Sequence, residues 1–166
     1  MILATDVQYA QSSATAAGIL FTHWQSTQAH SQVVAHVDTI APYEPGLFYK
    51  RELPCLLALI NQVDTQLSTI VVDGYVSLGS GNKPGLGMHL YNALDQRIPV
   101  KGVAKNKFES TPTVCEILRG NSQKPLFVTA VGTSLEYAKA SIESMHGEHR
   151  IPTLLKAVDQ LCRGIV

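Results

Sequence analysis

Four carboxylates stand where the pattern of the chain leads one to expect apolar side chains. Asp6 interrupts an alternating segment, Ile2 to Tyr9, that reads as a strand, although aspartate is depleted in strands. Asp73 closes the apolar run STIVVD and precedes Gly74, which puts it at the C-terminal edge of a buried strand, where open α/β sheets place their sites. Asp159 falls on the apolar stripe Leu155, Val158, Cys162 and Ile165 of the last helical segment, and Glu52 stands just before a helix that Pro54 is expected to open. A buried unpaired carboxylate is costly, but several can share a divalent cation, since hard Mg²⁺ takes oxygen ligands and keeps positions open for water and phosphate. Three of them also have an ordinary reading: Asp73 as a turn residue, Glu52 as a helix-start residue favoured by the dipole, Asp159 as a boundary residue reaching solvent. As an ordered set, a metal site is the better account.

The elements that must position these groups follow from periodicity. Strands are predicted at 2–9, about 14–23 and about 31–39, joined by short turns as an antiparallel meander. A Pro- and Gly-bearing loop leads to a helix over about 54–66, where Leu56, Leu59, Ile60, Val63 and Leu67 give one buried face. The strand ending at Asp73 is followed by a loop (YVSLGSGNKPG), a helix near 86–96 and the strand PVKGVAK. Further strands are expected at about 112–119 and 125–131, and helices at about 134–145 and 153–164. The expectation is an α/β fold in which a mixed sheet, three antiparallel strands followed by alternating helices and strands, is covered by helices. At 166 residues it is read as a single domain, 1–166.

Composition narrows the partners. Lys plus Arg equals Asp plus Glu at 13 each, so the net charge of zero excludes a protein that grips nucleic acid over its whole surface, though not a local basic rim. Cys55, Cys115 and Cys162 are few, odd in number and far apart, which supports neither a disulfide framework nor a zinc ribbon. No basic leader and no run of about 20 apolar residues is visible, so the expectation is a soluble cytoplasmic protein without a membrane span. His23, His30 and His36 read as solvent-facing strand residues, and His89 is open between a packing role and the surface. The glycine-rich GSGNKPG lacks the GK[ST] ending of a P-loop and reads instead as a substrate-contacting loop. Lys101, Lys105 and Lys107 alternate along one strand edge, with Lys50, Arg51 and Lys83 in flanking loops. They suit either solubilising charge or phosphate contacts.

The order of the acidic residues on this topology resembles the ribonuclease H-like fold of two-metal nucleases. Pro42-Tyr43-Glu44-Pro45-Gly46 followed by Arg51-Glu52-Leu53-Pro54 is similar to the Tyr-x-Pro-Gly…Arg-Glu-x-Pro signature of the endonuclease V family. Asp6-Val7-x-Tyr9, Val72-Asp73-Gly74, Gly102-Val103-Ala104-Lys105, the Lys124–Thr129 strand and Arg150-Ile151-Pro152 extend the resemblance over nearly the whole chain. It implies a metal-dependent endonuclease that hydrolyses the second phosphodiester bond 3′ to a deaminated purine, chiefly inosine, in DNA or RNA. It implies Asp6, Glu52 and Asp73 as ligands of Mg²⁺, with Mn²⁺ as a substitute, and Lys105 as the group that offsets charge at the scissile phosphate. Tyr43, beside Pro45, would be the wedge that fills the space of an extruded base, and Gly46 and Gly74 would let backbone approach that base.

Three departures accompany the resemblance. Tyr75 to Pro84 replaces the family's Gly-x-x-His-Pro-Arg stretch, Asp159 stands where a late histidine is usual, and the sequence begins almost at its first expected strand, without the N-terminal helical segment common in the family. Ala130-Val131-Gly132-Thr133 also replaces a Pro-Gly-His run. Asp159 restores a four-carboxylate set with Asp6, Glu52 and Asp73. Two alternatives stay open: an inosine- or nucleic-acid-binding protein without hydrolysis, and a general ribonuclease H-like nuclease without lesion specificity.

Overall fold

The computed structural model describes residues 1–80 and 83–165. Its elements are β1 (Ile2–Tyr9), β2 (Ala14–Phe21), β3 (Ser31–Val37), α1 (Tyr49–Ile60), β4 (Thr69–Asp73), β5 (Ser77–Leu78), β6 (Lys83–Pro84), α2 (Leu86–Ala93), β7 (Val100–Ala104), a 3-10 turn (Thr113–Cys115), β8 (Glu116–Ile117), β9 (Leu126–Val131), α3 (Leu135–Glu143) and α4 (Thr153–Cys162). Seven strands form one sheet in the order β3-β2-β1-β4-β7-β9-β8. The meander β1-β2-β3 is antiparallel, β1-β4 and β4-β7 are parallel, and β9 returns antiparallel to β7. This is the mixed sheet expected from the sequence, and helices cover both of its faces.

Side-chain alternation sorts the two faces. Ile2, Ala4, Ile19, Val71, Val103 and Val128 pack with Ile142 of α3 and Leu154, Val158 and Cys162 of α4. Leu3, Leu20, Ile70, Val72 and Val100 pack with Leu56 of α1 and Leu86 and Leu90 of α2. With a side-chain period of two, Asp6 and Asp73 continue the rows Ile2-Ala4 and Thr69-Val71 onto the α4 face. The parallel register, Ile2 opposite Thr69 and Ala4 opposite Val71, carries them to the same end of neighbouring strands.

Several elements differ from the expected bounds. Helix α1 begins at Tyr49, not at Pro54, and Pro54 lies inside it with its ring exposed. A proline there forfeits one backbone bond near the helix start, while the buried stripe Glu52, Cys55, Leu56 and Leu59 extends the packed face back past it. The strand expected at 112–119 shrinks to a 3-10 turn and the two residues of β8. β2 and β3 stop at Phe21 and Val37, and α2, α3 and α4 end at Ala93, Glu143 and Cys162. Ile165, expected on the buried stripe of the last helix, lies beyond α4 and is 48% exposed. The loop after Asp73 carries a small β5-β6 ribbon, and Gly81 and Asn82 of its glycine-rich stretch lie outside the described residues. Among the described residues no helix is long and apolar enough to cross a membrane.

Lys101 is the clearest departure. Alternation along the sequence groups it with Lys105 and Lys107 on a strand edge, whereas it is only 1% exposed, at the opposite end of β7 from Lys105. Its ammonium lies 5.0 Å from the ring centres of both Trp24 and Tyr137 and donates to Thr69 Oγ1 at 3.3 Å. Aromatic faces offset part of the cost of burying the charge, and burial pushes its pKa down to about 8.

Candidate metal centre

The site forms at the C-terminal ends of β1 and β4, where α1 and α4 approach from opposite faces. Asp6 is 7% exposed, and Glu52, in the first turn of α1, is 4% exposed. Asp6 accepts one hydrogen bond, from the Val7 N–H at 2.8 Å. Glu52 has no hydrogen bond or ion pair with any other described residue. Asp73, half-exposed at the end of β4, lies 3.8 Å from the Lys105 ammonium. Asp159 faces the site from α4, bears an ion pair with Arg163 at 3.3 Å, and has its carboxylate within 4.8 Å of donor atoms of both Asp6 and Cys162.

These placements leave negative charge uncompensated. Burial first, then the charge of Asp73, pushes the Asp6 carboxyl up to about 7, against the Val7 N–H and Lys105, which pull it down. Burial, then Asp73 and Asp6, pushes Glu52 up to about 8. Asp73 is raised by burial and by Asp159, with Lys105 opposing. Burial, then Asp6 and Asp159, pushes the Cys162 thiol up to about 12. Carboxyls held this far above their ordinary range need either protons or a cation. Among the described residues Asp6 and Asp159, with Cys162, bring donor atoms within 4.8 Å of one another, while Asp73 and Glu52 stand outside that group and are coupled to Asp6 and to each other through their charge. Carboxylate oxygens of this kind suit a hard divalent ion. Next to Asp6 and Asp73 lies a cavity of about 20 Å³, room for about one water-sized occupant.

Beside Asp73 a cleft of about 340 Å³ opens, with Gly46 and Gly74 on its wall and the aromatic rings of Phe48, Tyr49, Tyr75 and Phe108 around it. Residues 44–47 make a turn closed by Leu47 N–H to Glu44 C=O at 3.0 Å. Pro45 and Gly46 occupy its centre, and Gly46 at φ +77° takes the position of a type II turn that glycine favours. Tyr43, just before this turn, is 62% exposed. Gly102 fixes the other wall: a Cβ there would come within 2.5 Å of the Gly74 carbonyl and 2.9 Å of the Val76 nitrogen, so only glycine lets the 74–76 segment cross β7. The Tyr75 hydroxyl donates to Asn106 C=O at 2.6 Å and accepts from Phe108 N–H at 3.0 Å, which ties Phe108 to the cleft. Tyr49 stacks on His89 at 3.6 Å between α1 and α2, so His89 is a packing residue.

Of the sequence-predicted site residues, Asp6, Asp73, Lys105 and Asp159 gather at this end of the sheet, and Glu52 feels the charges of Asp6 and Asp73. Gly46 and Gly74 line the cleft, while Tyr43 and Pro45 are placed only by their nearness to Gly46 in the chain. Those that sequence reasoning missed are the cleft walls Phe48, Tyr75 and Phe108, and the residues His149 and Lys156 that extend a basic rim from Lys105. Lys105, His149, Arg150 and Lys156 line a recess of about 330 Å³ adjoining Asp159. Arg150 donates to the carbonyls of Lys105, Lys124 (3.1 Å) and Pro125 (2.9 Å), clamping the segment that carries Lys105. The buried Arg119 anchors the loop before α4 through the carbonyls of Met145 (2.5 Å) and His149 (2.6 Å). His23, His30 and His36 are exposed, but only His36 lies on a strand; His23 and His30 sit in the connection between β2 and β3.

Comparison with known proteins places this geometry in a family context. The profile of the endonuclease V family matches residues 1–126. Endonuclease V of Streptomyces avermitilis is 31% identical over 143 residues, covering 74% of this chain and 61% of the relative. The Nostoc punctiforme endonuclease V is 29% identical over 134 residues, covering 78% of this chain and 58% of its own. The chain thus spans about 60% of the length of these curated relatives. The crystal structure of the Streptomyces avermitilis protein superposes with a TM-score of 0.77 at 25% identity, over 98% of this chain and 79% of that one. A Ciona intestinalis endonuclease V, solved with a 24mer DNA containing an inosine followed by a ribo-adenosine, shares the fold with a TM-score of 0.78 at 19% identity, over 98% and 84% of the two chains.

Proposed function

The chain belongs to the endonuclease V family, and on that premise we propose that it hydrolyses a phosphodiester bond 3′ to a deaminated purine, inosine above all, in DNA or RNA. The observation that carries this reading is a group of carboxylates, Asp6, Glu52, Asp73 and Asp159, near enough that their charges raise the pKa values of Asp6, Glu52 and Asp73, with Asp73 also lining a cleft of about 340 Å³. Asp6, Glu52, Asp73 and Asp159 would hold Mg²⁺, with Mn²⁺ as a substitute. When bound, the ion supplies activation of a water and stabilisation of the leaving 3′ oxygen.

The chain's own residues do the rest. Lys105, held beside Asp73 at 3.8 Å, would meet the scissile phosphate and offset the charge that builds there. Tyr43, exposed ahead of a fixed turn, would wedge into the stack, and a base that pairs poorly costs less to extrude. The cleft has the volume and aromatic lining to take a purine edge-on to backbone at Gly46 and Gly74. Its wall takes Tyr75, Leu78, Lys83 and Pro84 from the stretch that replaces the family's Gly-x-x-His-Pro-Arg, so the base would meet ring faces and backbone here. Lys156 and His149 would hold the strand by its phosphates. The three unpaired cysteines suit a reducing cytoplasm. That the Ciona intestinalis relative was solved on inosine-containing DNA supports a nucleic-acid partner.

The test is cleavage of labelled single-stranded DNA and RNA, each with one central inosine, beside inosine-free controls in Mg²⁺ or Mn²⁺. A single cut at the second bond 3′ to inosine, leaving a 5′-phosphate, is the expected result. Equal cutting of the controls would move the function to a general nuclease. Inosine-dependent binding without any cut would make it a binding protein.

A further inference from the structure

One donor at the site is of the wrong kind for magnesium. Asp159 and Cys162 are three residues apart on α4 and so share a face. That face looks onto Asp6 of β1, and one donor atom from each of Asp6, Asp159 and Cys162 lies within 4.8 Å of the others. We propose that these three residues form a site for a thiophilic divalent cation, of the zinc, cobalt or cadmium class. The site rests on the preceding reading only in sharing two carboxylates with the magnesium ligand set.

A tetrahedral ion with bonds of about 2.0–2.3 Å holds its ligands roughly 3.3–3.8 Å apart, so the three donors need to close by about 1 Å, within reach of side-chain rotation. None of the three is locked elsewhere. Asp6 is 93% buried, and its one bond, from Val7 N–H, leaves its other oxygen without a partner among the described residues. The sulfur of Cys162, itself 5% exposed, only donates to the Asp159 carbonyl at 3.1 Å. The Asp159–Arg163 pair is partly exposed and contributes little that binding would forfeit. Binding forms a metal–sulfur bond, breaks the S–H bond and releases the proton to solvent.

Sulfur selects among ions. A thiolate ligates zinc, cobalt and cadmium well and magnesium poorly, so the trio favours soft cations over magnesium. An ion on Asp6 and Asp159 removes two oxygen donors from magnesium, so the two ions exclude each other. Cys55 donates to the Arg51 carbonyl within α1 and belongs to no such donor group among the described residues, nor does Cys115.

The test adds Co²⁺ to the metal-free chain and follows the ultraviolet thiolate-to-cobalt charge-transfer band. The expected result is a saturable band at one ion per chain that is lost in Cys162→Ser, kept in Cys55→Ser and suppressed by excess Zn²⁺. Asp159→Asn, which alters a partly exposed carboxylate, should weaken cobalt binding at least ~10-fold even if the cysteine variant folds poorly. Absence of the band in the wild type, or its persistence in Cys162→Ser, overturns the proposal. Melting in Mg²⁺ is read in parallel. A cobalt band with no magnesium-induced stabilisation supports this site while counting against the magnesium reading alone.

Discussion

Asp73→Asn is expected to lower single-turnover cleavage of an inosine-containing strand by on the order of 10³-fold while leaving the fold intact. Metal-assisted stabilisation of a phosphoryl transition state is worth several kcal/mol, and a loss of about 4 kcal/mol corresponds to roughly a thousandfold. Asparagine preserves the size of the side chain and removes only its charge. Since Asp73 raises the pKa of both Asp6 and Glu52, the metal-free variant should melt at or slightly above the wild-type temperature. The check is cleavage and thermal melting on the same preparation. Full activity in a folded variant would take Asp73 out of the machinery.

The second large effect is on stability and depends on metal. Asp6 and Glu52 have folded-state pKa values of about 7 and about 8, above their ordinary values of 3.8 and 4.5. Between those limits the folded chain binds more protons than the unfolded one, so stability falls as pH rises from about 4 to about 8. The two groups are coupled, and on the order of 4 kcal/mol together is a reasonable scale, or roughly 10 °C in melting temperature for a chain of this size. Metal-free protein should therefore melt higher at pH 5 than at pH 8. Two other groups pull the other way. His89, lowered by burial, offsets a part of the fall below about pH 6.5, and Lys101 acts only above about 8, so the two carboxyls together set the direction across the window. Saturating Mg²⁺ replaces the protons, and at about 100 times its Kd stabilises by about 2.7 kcal/mol, which should erase most of the difference at pH 8. A melting temperature that climbs from pH 5 to pH 8 in chelator would contradict the uncompensated cluster.

What could be read beforehand was whatever local pattern carries. Asp6 is legible because a charge interrupts an alternating strand, and Asp73 because it closes a continuous apolar run just before a glycine; the register then carries both to one sheet edge. Glu52 was found for an incomplete reason. A proline near a helix start suggested that the helix opens there, whereas the buried stripe runs back through Glu52 and makes it part of the packed face. Lys101 and Lys105 share a face of one strand, and alternation cannot say that one end of that strand lies under Trp24 while the other reaches the carboxylates. The cleft walls Phe48, Tyr75 and Phe108 come from three separate loops, and nothing local in any of them announces that they meet. Cys162 sat on the apolar stripe and read as core. Only the three-dimensional approach of Asp6 gives its sulfur a second meaning.

The central claim is that the buried carboxylates form a divalent-cation site. The most direct measurement is equilibrium binding of Mn²⁺ to the metal-free chain, followed by the loss of the free-ion paramagnetic resonance signal, in wild type, Asp6→Asn and Glu52→Gln. The account predicts saturable binding in the wild type, weakened at least ~10-fold in each variant, with Mg²⁺ competing for the same site. No saturable binding, or the same affinity in all three proteins, would contradict it.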